Sequence, residues 1–260
     1  MIFVIVRGCP GLERNGRKAV EIRVAGWAGY GFAVSLLAVI SLVMAGLGTR
    51  WGFWDFRTGF LFLRAAVVLG VIGILLSLVS AFPAKGVFFT LALLGILIGL
   101  VSAGIPFKWY RMAKSVPVIH DITTDWEDPP RFDAILPIRQ SAPNTAEYGG
   151  EEIAAQQRKA YPSVVPKILD DPPSEAFRKA LNAAIGLGWQ VVSADMTSGR
   201  IEATDTTLWF GFKDDIIIRI RPNGPGSKVD VRSVSRVGKS DVGANAKRIE
   251  KYLARLARES

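Results

Sequence analysis

Three uninterrupted apolar runs, residues 25–48, 60–82 and 87–105, constrain this chain more than any other feature. A bilayer core about 30 Å thick needs roughly 20 apolar residues at about 1.5 Å rise each, and every run meets that length. The first and third contain no charged residue, and the second contains only Arg64. Buried helices of a soluble bundle keep a charged face, and these runs have none. The reading is a block of three transmembrane helices.

Charge follows the same division. Residues 1–106 hold 9 Lys+Arg against 3 acidic residues, and the rest of the chain holds 23 against 20, within a total of +9. Most of the basicity therefore flanks the apolar runs, where cations meet anionic headgroups. A nucleic-acid binder would concentrate it on the soluble half, so no nucleic-acid partner is expected. Cys9 is the only cysteine, which excludes an intrachain disulfide and any cysteine-based metal or redox site.

Residues 1–24 form a basic tail with Arg7, Arg14, Arg17, Lys18 and Arg23. The positive-inside tendency places this tail in the cytoplasm. Flanking charge alone is nearly balanced, 6 Lys+Arg inside against 5 outside, and the first span decides it. Three crossings then put the C-terminal half in the periplasm of a bacterium whose inner membrane holds the spans. Trp51, Phe53, Trp54 and Phe56 after the first span, and Trp109 and Tyr110 after the third, read as interfacial anchors. Arg64 is close enough to its helix end to snorkel. Gly70, Gly73 and Ser77 offer a small-residue surface to Gly95, Gly99 and Ala103, which favours close packing of the second and third spans. Pro106 ends the third span, and residues 106–117 form a linker.

Residues 118–260 carry soluble patterns. A short strand near Ile119 runs into an extended, Pro-punctuated loop, and residues 151–159 allow a helical turn or two. Phe177, Leu181, Ala184 and Leu187 recur at helical spacing up to Gly188. Four alternating strands follow, at residues 189–195, 200–206, 216–221 and 228–236, and a helix from Asp241 to about Arg258 closes the chain. This predicts an α+β domain in which a four-stranded antiparallel meander carries two helices on one face.

Period two then sends Arg200, Glu202, Arg219, Arg221, Asp230, Arg232 and Arg236 to the face away from the helices. If that face is open, it is either a set of cross-strand ion pairs or an arginine-lined surface for an anionic ligand, with Ser240 at the nearby helix start as a further candidate. Arg219→Ala with Arg232→Ala is expected to weaken binding without unfolding. His120, the only histidine, with Asp121 and Asp125, supplies candidate groups for a metal-dependent hydrolase, although a single imidazole in a loop is a thin ligand set. No metal or other cofactor is expected.

The C-terminal half resembles the domain of unknown function 1499 family. The matching text is His120 to Asp125 with Pro129-Pro130 and Phe132, Tyr161-Pro162, Gly188-Trp189, Arg200 to Ala203, Asp214-Asp215, Val229 to Gly238, and Ser240-Asp241 with Gly243, Asn245 and Arg248-Ile249. The resemblance implies a small α+β domain, often membrane-tied or exported, and implies no activity. Many members open with Asn-Cys-Val-Ser-Ser where this chain has His120-Asp121-Ile122-Thr123-Thr124, so no role resting on that thiol transfers. The combined expectation is an integral membrane protein whose outer domain is a non-catalytic binding module. Its partners would be membrane lipids and an envelope protein, lipid headgroup or other anionic ligand.

Overall fold

The computed structural model describes residues 10–259 and separates them into two compact units, one ending at Tyr110 and the other beginning at Arg111. Met1 to Cys9 of the expected basic tail lie outside the described residues.

The first unit is helical: α1 (Pro10–Arg50), α2 (Phe56–Ala81) and α3 (Val87–Ser115). Each contains a stretch long and apolar enough to cross a membrane, Arg23–Arg50, Phe56–Ala81 and Val87–Ser115. The part of the basic tail from Pro10 onward is already helical. Asp55 caps α2 by accepting a hydrogen bond from the Thr58 amide at 2.8 Å. α3 does not stop at Pro106 but carries it inside the helix to Ser115, so most of the expected linker is helical. Proline removes one ladder bond and crowds the preceding turn, yet the helix resumes on either side of it.

Small residues face inward in this unit. Gly59, Ala66, Gly70, Gly73, Ser77 and Ser80 are the buried positions of α2, while Leu75 and Leu97 are more than half exposed. That inversion of the soluble pattern suits helices whose outer surface meets lipid. A Cβ added at Gly70 would lie 3.0 Å from the Gly99 carbonyl oxygen, which agrees with the expected close approach of α2 and α3. The sequence pattern did not reveal the role of α1: Gly73 faces Ser35 of α1, whose hydroxyl donates to the Gly95 carbonyl at 2.7 Å.

The second unit is an α+β domain built on one antiparallel sheet. Its elements are β1 (Asp121–Thr123), a 3-10 turn (Leu136–Arg139), α4 (Gly150–Ala160), β2 (Lys167–Leu169), α5 (Pro173–Gly186), β3 (Gln190–Asp195), β4 (Arg200–Thr206), β5 (Lys213–Asn223), β6 (Gly226–Ser235) and α6 (Ala244–Glu259). The order is β1-β6-β5-β4-β3, and β2 also pairs with β6. The sheet therefore has six strands rather than four. Both additions are three-residue strands, too short to show alternation, and both pair antiparallel with β6. β6 is thus bonded to β5 along one edge and to β1 and β2 along the other.

Apolar side chains alternate accordingly. Ile201, Ala203, Ile216, Ile218, Ile220, Val229 and Val231 form one core with Phe177, Ala180 and Ala184 of α5 and Ile249, Tyr252 and Leu256 of α6. Trp189 stacks on Tyr252 at 5.2 Å, and the Tyr252 hydroxyl donates to the Ala180 carbonyl at 3.1 Å. A second, smaller core of Phe132, Ile135, Ile217 and Val234 lies on the opposite face.

Candidate functional site

That second core corrects the picture of an open sheet face. Residues 124–148 fold back over it as a strap. Apart from the 3-10 turn at Leu136–Arg139 the strap has no strand or helix, so most of its backbone donors need outside partners. Glu202, fully buried on β4, supplies them: its carboxylate accepts from the amides of Asp133 (3.0 Å), Ala134 (3.2 Å) and Ile135 (2.9 Å). The same β4 residue that read as a surface charge is therefore an anchor for the strap.

The predicted arginines meet carboxylates one after another. Arg232, 2% exposed, makes a two-pronged contact with Asp121 at 2.9 and 2.7 Å and donates to the carbonyls of Pro130 (3.1 Å) and Ala146 (2.7 Å). Its guanidinium also lies 5.4 Å from the ring centroids of both Phe132 and Tyr148. Arg236 grips Asp215 at 2.9 and 2.8 Å, and Asp215 in turn accepts from the Thr204 hydroxyl at 2.8 Å. Arg200 pairs with Asp133 at 3.0 Å.

Arg219, Arg221 and Lys228 share Asp125, Asp128 and Asp230 in a network whose contacts run from 2.7 to 3.4 Å. Burial raises the Asp125 carboxyl, but the Lys228 hydrogen bond and the neighbouring cations outweigh it and hold the group below its ordinary range. The bland alternative of cross-strand ion pairing thus describes most of this face. Removing Arg232 would strip a buried anchor, so the paired alanine variant cannot leave the fold untouched.

Two arginines on the strap were not singled out from the sequence. Arg139 is 5% exposed, lies 3.5 Å from Asp215 and donates to the Asn144 carbonyl at 3.1 Å, while its Nε and Nη1 find no hydrogen-bond acceptor. Burial lowers its proton affinity. Arg131 is the opposite case: it is exposed, and no carboxylate among the described residues lies within ion-pair distance of it. It borders two adjoining clefts. One, of about 320 Å³, is floored by Arg232 and walled by Phe132, Tyr148 and Glu147. The other, of about 210 Å³, lies toward Arg200, Arg219 and Ser198. Burial pushes the Tyr148 hydroxyl up to about 12, so it stays a neutral donor. The only sequence signal for Arg131 is a cation directly after Pro129-Pro130, which fixes its backbone but not its neighbours.

The hydrolase residues do not converge. His120 Nδ1 lies 3.4 Å from the Lys239 carbonyl, Asp121 is held by Arg232, and Asp125 belongs to the Arg219 network. Among the described residues no three His, Cys, Asp or Glu side chains group as a metal site. Ser240 is not the cap of α6. Its hydroxyl contacts the Pro117 carbonyl at 3.4 Å and accepts from the Val242 amide at 3.2 Å. Asp241 caps instead, accepting from the amides of Gly243 (2.8 Å) and Asn245 (2.7 Å), with Val242 held at φ +55° between them.

The described residues thus define a chain of three apolar, membrane-spanning-length helices followed by an α+β domain whose polar sheet face is strapped over and largely neutralised from within. It belongs to the DUF1499 family, "protein of unknown function", whose model matches residues 121–256, just over half of the chain. No curated protein and no solved structure matches it.

Proposed function

We propose that this protein is a multi-pass component of a bacterial inner membrane, with its N-terminus in the cytoplasm and its α+β domain in the periplasm, and that the domain is a non-catalytic binding module for an anionic group. The observation that carries the binding reading is Arg131, the one arginine beside the strap clefts with no carboxylate partner among the described residues, next to aromatic walls and above a buried arginine floor. A guanidinium left unpaired beside a cleft is matched in shape and charge to a phosphate or carboxylate, whether that group sits on a lipid, a polymer or an envelope protein. His120, Asp121 and Asp125 are engaged elsewhere and take no part.

The test is thermal unfolding of the detergent-solubilised full chain with inorganic phosphate against chloride at matched ionic strength. Phosphate at ten times its dissociation constant should stabilise the protein by about 1.4 kcal/mol. Arg131→Ala should abolish that gain while leaving the midpoint in chloride unchanged, and an equal gain in both proteins refutes the assignment. An alkaline phosphatase fused to the C-terminus should be active, since that reporter works only outside the cytoplasm; an inactive, intact fusion overturns the proposed orientation.

A further inference from the structure

Within the helical unit the supply of negative charge runs out beside one arginine. From residue 22 to residue 120 the sequence offers a single carboxylate, Asp55. That carboxylate is used at the start of α2, where it accepts from the Thr58 amide at 2.8 Å. Arg64 stands nine residues further on, about 13 Å along the helix and inside the apolar run that begins at Phe60. It lies on the outer side of α2. Arg64 is exposed, as are Leu61 one turn before it (59%) and Val68 one turn after it (57%), whereas Ala66, Gly70 and Gly73 are buried. The stripe that holds Arg64 is therefore the one turned toward lipid.

Arg57 shares that stripe. Seven residues bring a helical side chain back to within about 20° of its starting direction, about 10 Å further along the axis. Arg57 is exposed too, with its guanidinium 5.8 Å from the centroid of the Phe56 ring. Among the described residues no carboxylate lies within ion-pair distance of Arg57 or Arg64. The preceding turn carries Trp51 and Phe53 at 59% and 68% exposure with their rings 5.9 Å apart, a pair suited to the headgroup level. Arg57 is close to that level and Arg64 is deeper. Helical side chains lean toward the N-terminus, so the stem of Arg64 carries its charge back toward Arg57 and the headgroups.

A guanidinium on a lipid-facing stripe is costly unless an anion reaches it. The helices supply none, and a bilayer supplies phosphate.

We infer that Arg57 and Arg64 form a binding site on the outer face of α2 for an anionic phospholipid, with Arg64 gripping the phosphate from the hydrocarbon side and Arg57 flanking it from the water side. The planar fork of Arg64 matches two phosphate oxygens. A lipid of net negative charge is favoured over a zwitterionic one, because a headgroup ammonium would compete with the guanidinia for the phosphate. The inference rests on the reading of these helices as membrane spans. It uses nothing in the α+β domain and holds for either orientation of the chain.

The test is native mass spectrometry of the full chain, titrated in detergent with phosphatidylglycerol or with phosphatidylcholine of the same acyl chains. The first phosphatidylglycerol should bind the more tightly, by about fivefold for each arginine that meets it. Arg64→Leu, which places an apolar side chain on a stripe already facing lipid, should reduce the preference about fivefold, and Arg64→Lys, which keeps the charge, should retain most of it. Lys85→Leu, exposed in the turn between α2 and α3, should leave it unchanged. An unchanged preference in Arg64→Leu overturns the inference, and so do equal losses from Arg64→Leu and Lys85→Leu, which assign the preference to diffuse charge attraction. Displacement of the lipid by inorganic phosphate at equal concentration also overturns it, since the site then takes a free anion. The membrane reading is checked separately by washing membranes in alkaline carbonate. Release of the chain without detergent overturns that reading and this inference together, whereas retention without a preference for phosphatidylglycerol overturns the inference alone.

Discussion

Arg232→Met is the perturbation that most directly tests how the strap is held. Methionine keeps the length of the stem but removes the charge and all five N–H donors. Asp121, 4% exposed, would then be a buried carboxylate without its partner, and the Pro130 and Ala146 carbonyls would lose their donor. Breaking a buried pair from one side costs about 3–5 kcal/mol, against a total stability of about 5–15 kcal/mol for a domain of ordinary size. Arg232→Met with Asp121→Asn removes both charges and should cost clearly less than the sum of the two single changes.

Burial already raises the Asp121 carboxyl despite the guanidinium, so loss of Arg232 should let it protonate more readily and the defect should shrink as pH falls. The assay is urea unfolding of the full chain in nanodiscs, with amide exchange over residues 124–148 as the local readout. A single-variant cost below about 1 kcal/mol, or strict additivity in the double variant, refutes the reasoning.

Glu202→Gln should release the middle of the strap, because a neutral amide oxygen replaces a carboxylate that accepts three amides; faster exchange at Asp133 to Ile135 with β4 still protected is the expected pattern. Asp241 and Asp125 should act in opposite directions with pH. Burial raises Asp241 above its ordinary 3.8, so its contribution is full below that pH and declines as pH rises through the folded value, whereas Asp125 is lowered, and its contribution is present above 3.8 and declines as pH falls. Asp241→Asn, which retains a capping oxygen, should therefore be at least as stable as the parent at neutral pH, as read from urea midpoints across pH 3–7. Gly73→Leu should open the helical unit, since even a Cβ there would lie 2.9 Å from the Ser35 amide nitrogen; reduced protease resistance of that unit in detergent would register it.

The helical unit was legible because length and lack of charge act over whole segments, and the four longer strands were legible because their alternation is long enough to count. A short strand was legible near Ile119, where β1 forms, but its pairing with β6 was not, and β2 was not legible at all, because three residues carry no period and their place is set by β6. The strap escaped for a related reason. Its apolar residues Phe132 and Ile135 are sparse, and its backbone is satisfied by a side chain about 70 positions away on β4. Period two assigned Arg219, Arg232 and Glu202 to the correct face, yet it could not show that the face is roofed. The partners Asp121, Asp125, Asp128 and Asp133 were visible in the text as an acidic stretch, and only the fold lays them over the arginines.

The position of β6 sets the timing of folding. β1 and β2, beginning at Asp121 and Lys167, pair only with β6 and so wait for residues 226–235, whereas β3, β4 and β5 can pair with one another first; α6 then adds Ile249, Tyr252 and Leu256. Until β6 leaves the ribosome, the strands at residues 121–123 and 167–169 have no partner, so the first part of the domain to be made stays unpaired the longest. The start of the domain is thus the first part made and the last to be locked in place, by a strand more than a hundred residues further along the chain.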